Sequence, residues 1–154
     1  MLDARKLTDA LVKLEKACDS LPQIAETATS ESQGMLFVAA QGNIYSTAPG
    51  ARKRTGEYLR SLSAKGKATK NAAAITVKSD SPYALYIEFG RPGVPVAQLQ
   101  ALALAGAIND PLTLGRSGQQ WWVAGPVLVS GQAYAAKRLQ DLFAKEVRKV
   151  VKGG

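Results

Sequence analysis

The chain predicts an α+β domain: an antiparallel sheet of about four strands, with N-terminal helices and a long C-terminal helix packed on it. Two observations carry this reading. At both ends apolar residues recur at three- and four-residue steps, the helical period, whereas from about Ala72 the period shifts towards two, that of a half-buried strand. A chain of 154 residues, 46% hydrophobic, suffices for one domain around one core, so residues 1–154 read as a single domain.

Leu7, Ala10, Leu11, Leu14, Cys18 and Leu21 form the first apolar stripe, with Lys6, Asp9, Lys13, Glu15 and Lys16 mostly on the other side. Asp3 is the expected N-cap, and Pro22 either stops the run or only kinks it. Cys18 lies on this stripe and reads as a buried structural thiol. A second helix is expected from about Thr29 to Gln41, where Ser30 and Gln33 have capping-box spacing. Gly42-Asn43 and Ala48-Pro49-Gly50 then supply turn chemistry and open an exposed basic loop over about 43–71.

Ala73 to Lys78 reads as a strand, Asp80-Ser81-Pro82 as a turn, and Tyr83 to Phe89 as the hairpin partner. In that pairing Leu85, Ile87 and Phe89 share the core face, and Tyr86 and Glu88 lie on the other. Gly90 and Pro92 end the strand. The alanine- and leucine-rich segment Val96 to Ile108 favours a short buried helix, a strand remaining open there. Leu112 to Leu114 and Gln120 to Ala124 read as two further strands, closed by Pro126. The last helix begins at Ser130 or Gly131, with Ala135, Leu139, Leu142, Phe143, Val147, Val150 and Val151 as its stripe and cations in its last turns, where they suit the helix dipole.

The net charge of +8 is concentrated. Arg52, Lys53, Arg54, Arg60, Lys65, Lys67 and Lys70 stand against only Glu57, leaving +2 for the rest of the chain. Such a block engages phosphates, an anionic membrane face or an acidic protein, or is simply a solvated loop, because screened charge carries no chemical identity. Without histidine there is no Ser-His-Asp or Cys-His arrangement and the commonest zinc ligand is missing; one cysteine excludes an internal disulfide. No glycine-rich segment matches a phosphate or dinucleotide loop, so no catalytic residue, metal or cofactor is assigned and the chain is not read as an enzyme. No run reaches the roughly 20 apolar residues of a membrane span, and the N-terminus lacks a signal-peptide centre, which reads as a soluble, cytoplasmically made protein with no membrane partner.

Glu88, as a strand residue facing away from the core, reads as half of an ion pair with a cation such as Arg91 or with a neighbouring subunit. Trp121 and Trp122 are adjacent in a predicted strand and so point to opposite faces. The outward one requires a cover, either a helix of this chain or an adjacent subunit, where tryptophan is an enriched anchor.

Two segments carry a resemblance. Thr55-Gly56-Glu57-Tyr58-Leu59-Arg60-Ser61-Leu62 and Tyr83-Ala84-Leu85-Tyr86-Ile87-Glu88-Phe89-Gly90 are similar to the signature of the tail-completion and head-tail joining family of long-tailed bacteriophages, which includes minor tail proteins of lambda-like phages. Tyr58 is one residue extra to the family's first segment, and Leu62 stands where isoleucine is usual. Arg91-Pro92-Gly93-Val94-Pro95 resembles the family's proline-rich link, whereas Val96 to Trp122 is an insertion before the last helix.

The resemblance implies a structural protein of the virion neck, assembled in the host cytoplasm, that completes the tail or joins it to the head. It also implies a cyclic ring of identical copies, a hexamer, between neighbouring neck proteins such as the head connector and the tail terminator or tube. In that setting Tyr86, Glu88, Arg91, Trp121 and Trp122 are the candidate subunit or partner contacts. The block from Arg52 to Lys70 is the candidate for ordering on assembly or for approaching DNA in the channel. A small basic nucleic-acid-binding module is the other reading of that block.

Overall fold

The computed structural model describes residues 4–46, 55–89 and 125–152. In chain order the elements are α1 (Ala4–Cys18), α2 (Leu21–Ala40), a π turn (Gln41–Tyr45), α3 (Glu57–Ser61), β1 (Leu62–Ala68), β2 (Ala73–Ser79), α4 (Ala84–Phe89) and α5 (Leu128–Lys152). The α+β class holds. Among the described residues the sheet has two strands, β1 and β2, not four. The expected strands at 112–114 and 120–124, and the expected helix at 96–108, lie outside the described residues.

By its contacts the chain divides into two compact units, Met1–Ser32 with Ala64–Thr76 and Gln132–Gly154, and Gln33–Ser63 with Val77–Gly131. The first is built on α2. Ser20 Oγ donates to Glu146 Oε1 at 3.5 Å, and Arg138 Nη2 donates to Glu31 Oε1 at 2.8 Å, so residue numbers rise along α2 as they fall along α5 and the two helices run antiparallel. Lys13 Nζ reaches the carbonyl of Val151 at 3.5 Å, a cation on the last carbonyls of α5 that ties α1 to its end. The hydrogen-bonded Arg138 guanidinium holds the Glu31 carboxyl below its usual range.

The buried apolar residues of this unit, Ala17, Leu21, Ile24, Ala25, Ala28 and Ala135, are mostly small and permit close helix approach. Gly66 of β1 packs on α2 as well: a Cβ there would overlap Thr29 Oγ1 and lie 3.2 Å from the Ala25 carbonyl oxygen. Both α5 and the hairpin thus rest on α2.

Pro22 does not stop a helix; it occupies the first turn of α2, where its missing N–H has no intrahelical partner to lose. The helix therefore begins at Leu21, not Thr29, and Ser30 and Gln33 are interior residues with no capping role. Cys18 is half-buried, while Leu7, Leu11 and Leu14 remain exposed, because α1 is buried only at Ala17. Val151 is likewise exposed at the end of the α5 stripe.

The second unit has its own core of Leu36, Ala40, Ile44, Tyr58, Leu62, Ile87 and Val127. Of the segment read as a loop from 43 to 71, residues 47–54 lie outside the described residues, and the described part holds the end of the π turn, α3 and β1. Tyr83 to Phe89, read as a strand, is the turn into α4 and α4 itself. Ser81 Oγ accepts from the Tyr83 N–H at 3.3 Å and Pro82 follows it, a cap and a pre-set first turn that begin a helix. The true hairpin partner of β2 is β1.

Candidate functional site

The two signature segments meet within the second unit. The first turns on Gly56, whose φ of 71° lies in the left-handed region that favours glycine. That conformation lets α3 start immediately: the Glu57 N–H donates to Thr55 Oγ1 at 3.4 Å, and Arg60 Nη1 folds back to the Thr55 carbonyl at 3.1 Å. At the other end Ser61 Oγ donates to the Tyr58 carbonyl at 2.7 Å and lies 2.6 Å from Ser79 Oγ, where α3 passes into the hairpin. Leu62 enters the core, and the Tyr45 hydroxyl accepts from the Leu59 N–H at 3.2 Å.

Tyr58 crosses to the second segment. Its hydroxyl donates to Glu88 Oε1 at 3.3 Å, and burial together with the Glu88 charge pushes the phenol well above its usual range. Glu88 is only 6% exposed. Its carboxylate also accepts from the N–H groups of Val127 at 2.8 Å, Leu128 at 2.6 Å and Val129 at 3.2 Å. These are N–H groups of the kind that a helix start leaves without an intrahelical acceptor, at the positive end of the α5 dipole. Beside them the Gly125 N–H donates to the Ile87 carbonyl at 2.8 Å, and Asn43 Nδ2 to the Pro126 carbonyl at 2.8 Å. Glu88 thus acts as a cap supplied from a distant element, tied by Tyr58 to the first signature segment. The expectation that Glu88 faces away from the core is corrected: on a helix, not a strand, it lies beside Ile87 on the inward face.

The outward face of the same segment is apolar. Tyr83, Leu85, Tyr86 and Phe89 are 57%, 71%, 54% and 72% exposed, at three- and four-residue spacings that line them along one side of α4. The core face expected for Leu85 and Phe89 is therefore corrected: only Ile87 of the three is buried. Tyr86, expected on the strand face opposite those residues, is on this exposed side of α4.

The described cations of the basic block are spread over several elements. Arg60 is exposed, with its guanidinium turned to its own Thr55 carbonyl, Lys65 and Lys67 are exposed on β1, and Lys70 occupies the hairpin turn. Arg52, Lys53, Arg54, Arg91, Trp121 and Trp122 lie outside the described residues. Sequence reasoning missed Tyr58 and Tyr45. Among the described residues no cluster of metal-ligating side chains occurs, and no helix is long and apolar enough to cross a membrane.

A family model described as "Bacteriophage HK97-gp10, putative tail-component" matches residues 5–90. The match ends at the close of the second signature segment and takes in α1 to α4, including Tyr58 and Glu88. No curated protein and no solved structure matches the chain. With more than half of its length matched, the chain belongs to the HK97-gp10-like family of bacteriophage tail components.

Proposed function

We propose that the chain is a structural subunit of the phage neck, completing the tail or joining it to the head as one copy in a cyclic homo-oligomeric ring, hexameric in this reading. It would assemble in the host cytoplasm and reside in the virion, with the head connector on one side and the tail terminator or tube on the other. Its mechanism is binding, without cofactor or chemistry. Family membership supports the tail assignment, and the observation that carries the contact face is the apolar outward side of α4. Two tyrosines, a leucine and a phenylalanine side by side form the composition of an interface anchor, not of a solvated helix face. Tyr86 is its centre, and Arg91, Trp121 and Trp122 are the further contact candidates. In a closed ring the contact is heterologous, so this face meets a different surface of the next copy.

The test is complementation of a phage carrying a nonsense codon early in this gene. Plasmid-borne wild type should restore the titre, and the double variant Tyr86→Asp/Phe89→Asp should fail to. Both replaced residues are exposed, so the melting temperature should change little. Full titre with the double variant would remove α4 as the contact face.

A further inference from the structure

We infer that the lysine-bearing outer face of the β1–β2 hairpin contacts the phosphate backbone of duplex DNA without reading its sequence. This goes beyond the neck reading and does not depend on which neighbours α4 meets.

Backbone bonds fix which lysines share the face. The Thr69 N–H donates to the Ala72 carbonyl at 2.8 Å and the Asp80 N–H to the Ser61 carbonyl at 3.3 Å, the same register at both ends of the hairpin. Lys67 is then opposite Ala74, and Lys65 opposite Thr76. Successive strand residues alternate faces. Ala64, Gly66 and Ala68 share the side on which Gly66 packs against α2, which leaves Lys65 and Lys67 together on the other, about 7 Å apart along the strand. Because the ladder rests on α2 through a glycine, the two ammonium groups project from a fixed base.

Nothing on the hairpin compensates them. Residues 62–79 contain Lys65, Lys67, Lys70 and Lys78 and no carboxylate. Lys78 is engaged by Asp80 at 3.0 Å, and Lys70 shares a groove with Glu15 and Asp19 of α1, whereas among the described residues Lys65 and Lys67 form no ion pair. Their exposed cross-strand neighbours, Ala74 and Thr76, are small and uncharged.

The chemistry of that face selects the occupant. Protein interfaces are depleted in lysine and rely on aromatic or arginine anchors, neither of which the hairpin has. Base stacking needs aromatic side chains, also lacking there. Lysines among small residues suit a polyanion whose neutralisation releases counterions, the sequence-independent term of DNA binding.

The experiment is fluorescence anisotropy of a short labelled duplex of random sequence, titrated with the full chain at several salt concentrations. Wild type should bind, and Lys65→Gln/Lys67→Gln should flatten the dependence of log K on log salt by about 1.8, since each phosphate contact contributes about 0.9. Across roughly 50 to 200 mM salt that difference amounts to about tenfold in affinity. The conservative pair Lys65→Arg/Lys67→Arg should keep the wild-type slope. An unchanged slope in the glutamine variant at an unchanged melting temperature, or no duplex binding by wild type at the lowest salt, would overturn the inference. So would equal binding of poly-glutamate and duplex, which would assign the face to an acidic protein surface.

Discussion

Glu88→Ala should lower the melting temperature by roughly 5–15 °C, the shift that about 2–4 kcal/mol produces in a chain of this size. The carboxylate serves four donors at once: the backbone N–H groups of Val127, Leu128 and Val129 and the hydroxyl of Tyr58. Alanine leaves all four without their acceptor. Water can reach the part-buried N–H groups of Leu128 and Val129 more readily than the buried N–H of Val127 or the Tyr58 hydroxyl, and this keeps the loss below the sum of four bonds. Tyr58→Phe removes one bond only and should cost about 1 kcal/mol. Glu88→Gln keeps one carbonyl acceptor but adds two donors where donors already converge, so it should fall between the two. These melting curves check the claim that the two signature segments are linked through one buried carboxylate; a Glu88→Ala chain that melts with wild type would contradict it.

Leu36→Ala should destabilise by about 2–5 kcal/mol, read from chemical denaturation, because Leu36 is 0% exposed and its removal opens a cavity in the core of the second unit. Gly131, in the first turn of α5, is the wall of that site: a Cβ there would overlap Leu36 Cδ2 and lie 3.1 Å from Cγ. Gly131→Ala should therefore cost about 1–3 kcal/mol by overpacking. The double variant is the sharper test. The methyl introduced at 131 enters the space vacated at 36, so the combined loss should be smaller than the two single losses added, by about 0.5–3 kcal/mol. Strict additivity would mean that the two positions do not share a site.

Where one physical signal dominated, the elements were legible in the sequence. The α5 stripe is read from Ser130 or Gly131 to Val151 and observed over Leu128–Lys152, and β2 is read as 73–78 and observed as Ala73–Ser79. The misreadings have local causes. Leu85, Ile87 and Phe89 alternate like a strand, but Ser81 and Pro82 supply a cap and a helical φ just before them, and the start signal prevails over the alternation. Strand β1 was hidden because its inward residues are Ala64, Gly66 and Ala68. Close approach to α2 demands small side chains there, which removes the apolar alternation by which a strand is recognised.

Of the candidate site, the sequence located the two signature segments. It could not assign Glu88, because its role depends on α5, which begins about 40 residues later. Tyr58 looked like an extra residue for the same reason: its partner is set by tertiary structure, not by spacing.

Electron microscopy of a lysate from a phage carrying a nonsense codon early in this gene tests the proposed role most directly. DNA-filled heads beside separate, complete-looking tails are expected, with joined particles restored by the wild-type gene supplied from a plasmid. Intact, infectious particles in the absence of the protein would contradict that role.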